Sequence, residues 1–114
     1  MYALKNKVQL IGHLGNMPEI KNLDGGKKLA KFSLATNESY RNSKGEKVDE
    51  TQWHNLIAWG KVAELCEQYL AKGSEIMIEG KIAYRDYTDT DGIKRYVTEI
   101  TVSDMMMFDR KTKA

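Results

Sequence analysis

At 114 residues the chain has room for one hydrophobic core but not two. Lysine and arginine total 18 against 16 acidic residues, and a net charge of +2 does not by itself point to a polyanionic partner. A single cysteine, Cys66, excludes an internal disulfide, and no apolar run approaches the roughly 20 residues of a membrane span. Lys5 and Lys7 follow Met1 with no apolar export segment, so a reducing, cytoplasmic setting is expected.

Val8, Leu10, Gly12 and Leu14 alternate with Lys7, Gln9, Ile11 and His13, the period of a half-buried strand that ends in a turn at Gly15 to Pro18. A short piece, Glu19 to Leu23, leads into Asp24, Gly25 and Gly26. Ala30, Phe32 and Leu34 then alternate in a second strand, hairpin-paired. From Asn37 to Glu50 the chain is polar, with Gly45 and one aromatic residue, and a long loop or mobile hairpin is expected. Thr51 to Gly60 forms the third strand. Beyond Lys61 the spacing changes to Val62, Leu65, Cys66 and Tyr69, one stripe of a helix that Gly73 ends. Ile76, Ile78, Gly80 and Ile82 open a long fourth strand that continues to Tyr87. Asp91 and Gly92 turn the chain into a fifth, with Tyr96, Thr98, Ile100 and Val102 on one side.

Three strands, a helix and two strands match an all-β domain of the oligonucleotide/oligosaccharide-binding (OB-fold) type. This is a five-stranded Greek-key barrel with its helix between strands 3 and 4. Another small α+β arrangement shares that order.

The third strand carries the most chemistry. An even spacing puts Trp53, Asn55, Ile57 and Trp59 on one face, while His54, Leu56, Ala58 and Gly60 point the other way. Tryptophans in strands usually fill cores. Here Leu56 and Ala58 already supply a core-facing side, and Lys61 follows at the strand's end, so the indoles are read as an exposed platform for flat, anionic partners. Tyr40 beside Arg41, and Tyr87 two residues from Arg85, are each expected to pair a ring with a cation.

The segments NKVQLIGHLG, AKFSLATNESYR, TQWHNLIAWGKVAEL, YLAKGSEIMIEGKI and DGIKRYVTEI closely resemble the bacterial single-stranded DNA-binding protein family over about residues 5 to 104. That resemblance implies the OB barrel. It also places the family's base-stacking positions on Tyr40, Trp53, Trp59 and Tyr87. Tyr40 and Tyr87 stand where many members have tryptophan, and Trp59 where phenylalanine is common. Phosphate contacts are expected from Lys7, Arg41, Lys44, Lys61, Lys72, Arg85 and Arg95, which neighbour the aromatics or match basic family positions. Asn55 and Asp86 depart from positions often basic in the family, and Lys27, Lys28 and Lys31 are extra. His54 matches a histidine at the family's subunit interface, which implies a homotetramer with the first strand near its contacts.

No nucleophile elbow, phosphate-binding loop or metal-ligand spacing appears, so neither catalysis nor a cofactor is expected. Asp86, Asp89 and Asp91 beside Gly92 lack the EF-hand pattern and read as a hairpin turn. The expected activity is sequence-independent binding and protection of single-stranded DNA in replication, recombination and repair, in the cytoplasm and at the nucleoid. The rival is a primosome-type interaction or assembly factor on the same barrel. Residues 1–108 are read as the binding domain and 109–114 as a short basic end. Without the family's acidic tip, recruitment of repair and replication enzymes is not expected.

Overall fold

The structure, a computed structural model, describes residues 4–108. The basic end at 109–114 lies outside the described residues. Six strands and one α-helix follow in the order β1 (Val8–Leu14), β2 (Glu19–Asn22), β3 (Lys28–Arg41), β4 (Lys47–Trp59), α1 (Gly60–Tyr69), β5 (Glu75–Thr88) and β6 (Lys94–Met107).

Five of the strands close a ring. The sheet order is β1-β5-β6-β4-β3-β2, and a further β1–β3 pairing joins the ends, leaving the four-residue β2 on the outer edge of β3. The expected barrel is therefore present. Its helix falls after the third of the five ring strands, which is between β4 and β5 once β2 is counted. Closure needs a close approach at Gly12: a Cβ there would stand 2.1 Å from the Ala35 carbonyl oxygen, so only glycine lets β1 cross from β5 to β3.

Alternation builds the core. Leu14, Phe32, Leu34, Leu56, Ala58, Ile76, Ile78, Ile100 and Val102 point inward and are buried. The helix stoppers one end with Ala63, Cys66 and Leu70. Leu65, expected on that stripe, is instead 39% exposed. The helix begins at Gly60 and its buried side runs 63, 66, 70, so Leu65 sits about half a turn away. Lys28 on β3 reaches Glu67 in the last turn of the helix, and the Gly73 amide just beyond it donates to the Leu14 carbonyl, fixing the C-terminal end of the stopper.

The polar segment Asn37 to Glu50 is a hairpin, not an open loop. β3 and β4 pair without interruption from Leu29↔Trp59 to Arg41↔Lys47. Both sides of this ribbon meet water beyond the barrel, so its strands need backbone pairing but no apolar face, and the polarity hid them from a reading based on alternation. β5 and β6 make a second long arm, paired from Gly80↔Val102 to Thr88↔Lys94.

Candidate nucleic-acid interface

The outward face of the barrel runs across β3, β4, β6 and β5. Cross-strand register places Ala35 opposite Trp53, Ser33 opposite Asn55 and Lys31 opposite Ile57. Beyond β4, Ile57 is level with Thr101 of β6, whose outward neighbours Glu99 and Val97 lead to Ala83 and Arg85 of β5. Trp53, Trp59, Arg85 and Tyr87 thus share one side. A groove of about 250 Å³ between them is lined by Asn16, Lys31, Ser33, Asn55, Ile57 and Glu99 among others.

Trp53 is 62% exposed yet seated. A Cβ on Gly15 would stand 2.4 Å from Trp53 Cζ3 and 2.8 Å from Ser33 Oγ, so the bare backbone of Gly15 makes room for the indole. The seat is pinned in turn: the Ser33 amide and hydroxyl both donate to Asn16 Oδ1, at 3.0 and 2.9 Å, and the Gly15 amide donates to the Ser33 carbonyl. One side of the ring is held and the rest is open. Trp59 ends β4 beside buried Leu29, its cross-strand partner, and Gly60 at φ +60° then turns the chain into α1. Lys61 is exposed in the first helical turn, where the helix dipole disfavours a cation and an anion close by would relieve it.

Glu99 is the one buried charged residue among the described residues. Arg85 donates from Nε to Oε1 at 2.8 Å and from its terminal nitrogen to Oε2 at 3.1 Å, a two-pronged pair at the base of the β5–β6 arm. That hydrogen bonding holds the Glu99 carboxyl below its ordinary pKa against the opposing effect of burial, with Lys31 helping. Arg85 is held correspondingly high. The same guanidinium stands 5.9 Å from the centre of the Tyr87 ring.

The other sequence candidates divide. Tyr40 is exposed but lies an odd number of positions from Ala35, so it is on the ribbon side opposite Trp53. The expected Tyr40–Arg41 pairing is absent. Successive strand residues point apart, and Arg41 donates instead to the Gly45 carbonyl at 2.9 Å. Lys44 sits in the turn of that arm. Lys7 is paired with Glu79 at 3.1 Å in a groove it shares with Lys81 and Thr101, and Arg95 with Asp89 at 3.0 Å near the tip of the second arm. Lys72 is exposed in the turn after α1. Asp86 faces away from Tyr87, on the other side of the β5–β6 ribbon, and Asn55 lies on the platform itself. His54 is half-buried, its Nε2 3.0 Å from Thr36 Oγ1.

The profile of the single-strand binding protein family matches residues 5–108. The chain belongs to that family. A single-strand binding relative, "Single-stranded DNA-binding protein 1" of Chlorobaculum tepidum, is 46% identical over 107 residues, 93% of this chain and 66% of its own length. This chain therefore spans just under two thirds of that relative. A solved structure of the Plasmodium falciparum single-strand binding protein in complex with single-stranded DNA superposes with a TM-score of 0.84 at 35% identity, covering 91% of this chain and 95% of that one. A deletion mutant of the Thermus aquaticus protein gives 0.79 at 26% identity, covering 91% and 50%.

Sequence reasoning named Lys31 only among the extra lysines, without placing it on the platform, and missed Gly15, Asn16 and Glu99 as parts of this candidate site. Parity across paired strands would have found Lys31 and Glu99. The Gly15 seat depends on a β1–β3 approach that no local pattern announces.

Proposed function

We propose that the protein binds single-stranded DNA without sequence preference, covering strands exposed in replication, recombination and repair. The observation that carries this reading is the set of exposed rings Trp53, Trp59 and Tyr87 on one outward face with Lys31 and Arg85 among them. Rings stack on any base, cations displace counterions from phosphate, and a duplex offers no free base faces. The named ligand of the Plasmodium relative supports the same choice of partner. Binding, not catalysis, is what these side chains can do.

Titration of the tryptophan emission with a single-stranded homopolymer and with a duplex tests it. Quenching by the first alone is expected, and Trp53→Ala should lower single-strand affinity by about 1–3 kcal/mol. Unchanged binding by a folded Trp53→Ala protein would remove the platform. Log affinity should also fall against log salt by about 0.7 for each phosphate engaged.

We further propose that the chain assembles as a homotetramer acting in the cytoplasm and at the nucleoid. Ile11, Met77 and Met106 lie in register across β1, β5 and β6, on the outside of the barrel, and Ile11 and Met106 are more than half exposed. Such an aliphatic row suits contact with a second copy. Within this proposal His54 lies near the subunit contacts, as its match to the family's interface histidine implies. A monomer in native mass spectrometry at micromolar concentration would overturn the assembly without touching the binding proposal. Among the described residues no helix is long and apolar enough to cross a membrane.

A further inference from the structure

The β5–β6 arm is aromatic on both of its sides, and the platform uses only one. Pairing is unbroken from Gly80↔Val102 to Thr88↔Lys94, so side chains alternate without a slip. Arg85, Tyr87 and Arg95 lie in front. Tyr84, Asp86, Lys94, Tyr96 and Thr98 lie behind. The rear side has the parity of Ile82 and Ile100, which face the barrel interior, but the arm has by then run past the rim. Tyr84 and Tyr96 are consequently 77% and 76% exposed. Tyr84 is opposite Thr98 and Tyr96 opposite Asp86, which makes the two phenols diagonal neighbours within reach of each other.

We propose that Tyr84 and Tyr96 form a second stacking surface, which receives a single strand after it has crossed the front platform and folded over the arm. The proposal rests on the single-strand reading above and extends it to a separate place on the fold. Three observations favour nucleic acid over protein as the occupant. Lys94 Nζ stands 5.7 Å from the Tyr96 ring centre, repeating behind the arm the ring-and-cation pairing that Arg85 and Tyr87 make in front. The rings are flanked by Thr98, Asp86 and Lys94, with no aliphatic row like Ile11, Met77 and Met106 to pack a protein surface. And the arm's edges are open: β1 pairs with β5 only as far as Gly80, and β4 pairs with β6 only at Ile100 and Thr101. Among the described residues, a strand at Tyr87 meets no neighbouring β-strand on its way round.

Charge sharpens the expectation. Lys94 is paired with Asp86 at 3.6 Å, so the rear is nearly neutral and stacking, not phosphate attraction, must carry the contact. The rear surface should therefore add affinity without adding salt dependence.

The test is a titration of the whole protein with oligothymidylates of increasing length, at two or more salt concentrations. The Tyr84→Ser/Tyr96→Ser double variant should match wild type on the shortest oligomers that saturate the front platform. On long ones it should bind about tenfold or more weakly, with the same salt slope. Tyr84→Phe/Tyr96→Phe, which keeps the rings, should restore wild-type binding. Equal affinity of the serine variant and wild type at every length would overturn the proposal. So would a loss of oligomer mass in the serine variant without DNA, since the rear would then belong to a second copy. Failure of wild type itself on short oligomers would instead remove the front platform, an outcome distinct from either.

Discussion

Asn42 and Asp89 perform the same task at the tips of the two arms. Asn42 Oδ1 accepts the amides of Lys44 and Glu46, and Asp89 Oδ1 accepts those of Asp91 and Ile93. Each turn ends on a glycine at φ +78°, Gly45 in one and Gly92 in the other. The arms differ at their bases. The β3–β4 arm rises from Trp53, whose ring rests on backbone, and farther out carries mostly charged and polar side chains around Tyr40. The β5–β6 arm rises from buried Glu99 and its exposed partner Arg85, and the guanidinium that neutralises Glu99 also faces Tyr87. One arm separates folding from binding, while the other joins them in a single residue.

The sharpest way to break that contrast is Arg85→Ala. It strands a buried carboxylate and should cost about 1–3 kcal/mol of stability by denaturant unfolding, whereas Arg41→Ala on the first arm should stay within about 0.5 kcal/mol. The pH response should invert as well. In wild type the Glu99 pKa is lowered on folding, so its contribution is present above the unfolded carboxyl pKa and is lost as pH falls through the folded one. Without Arg85, burial dominates and raises that pKa. The variant should then recover part of its deficit on acidification to about pH 5. A deficit that does not change with pH would mean that Glu99 finds other partners, with Lys31 first among the candidates.

Gly15→Ala probes the other base. Its methyl must push the indole or Ser33 aside, so single-strand affinity should fall by about 1–2 kcal/mol while Trp59 and Tyr87 continue to bind. Unchanged affinity, with tryptophan emission also unchanged, would show that the seat does not position the ring.

This contrast marks what the residues could reveal in advance. The strands and the outward indoles follow from period-two alternation, because Leu56 and Ala58 identify the inner side of β4 without any knowledge of its partners, whereas the choice of the barrel over another α+β arrangement comes from the family resemblance. Tyr40, Tyr84 and Tyr96 do not follow from it. Each has the parity of a core residue, and only the length of the hairpins beyond the rim, where pairing with the other ring strands stops, turns it out into water. The Arg85–Glu99 pair is hidden for the same reason: its partners are 14 positions apart and meet only through the β5–β6 register.

Tyr40→Ala should reduce affinity by about 1 kcal/mol or less, at the low end for a stacked base, because Tyr40 lies across the ribbon from Trp53 and, among the described residues, no cation is paired with its ring. An effect as large as that of Trp53→Ala would place the strand's path along both sides of the first arm and erase the difference between the arms.

The smallest effect concerns the tips. Asp89 is ionisable and Asn42 is not, so only the second turn should depend on pH. The amide of Ile93, and then the side chain of Arg95, hold the Asp89 carboxyl below its ordinary pKa. A lowered pKa means that the carboxylate's support of the turn is present above the usual carboxyl pKa of about 4 and is lost as pH falls through the lowered value. Hydrogen exchange followed by NMR, corrected for the intrinsic pH dependence of exchange, reads this at the amides of Asp91 and Ile93. Their protection should fall on acidification, while that of Lys44 and Glu46 in the first turn should not. Asp89→Asn should make the second turn behave like the first, since an amide oxygen accepts the same two backbone donors at any pH, although Arg95 loses its charged partner. If Asp91 and Ile93 keep their protection in acid in the wild-type protein, the backbone and Gly92 alone hold the turn, and the carboxylate is there for Arg95 only.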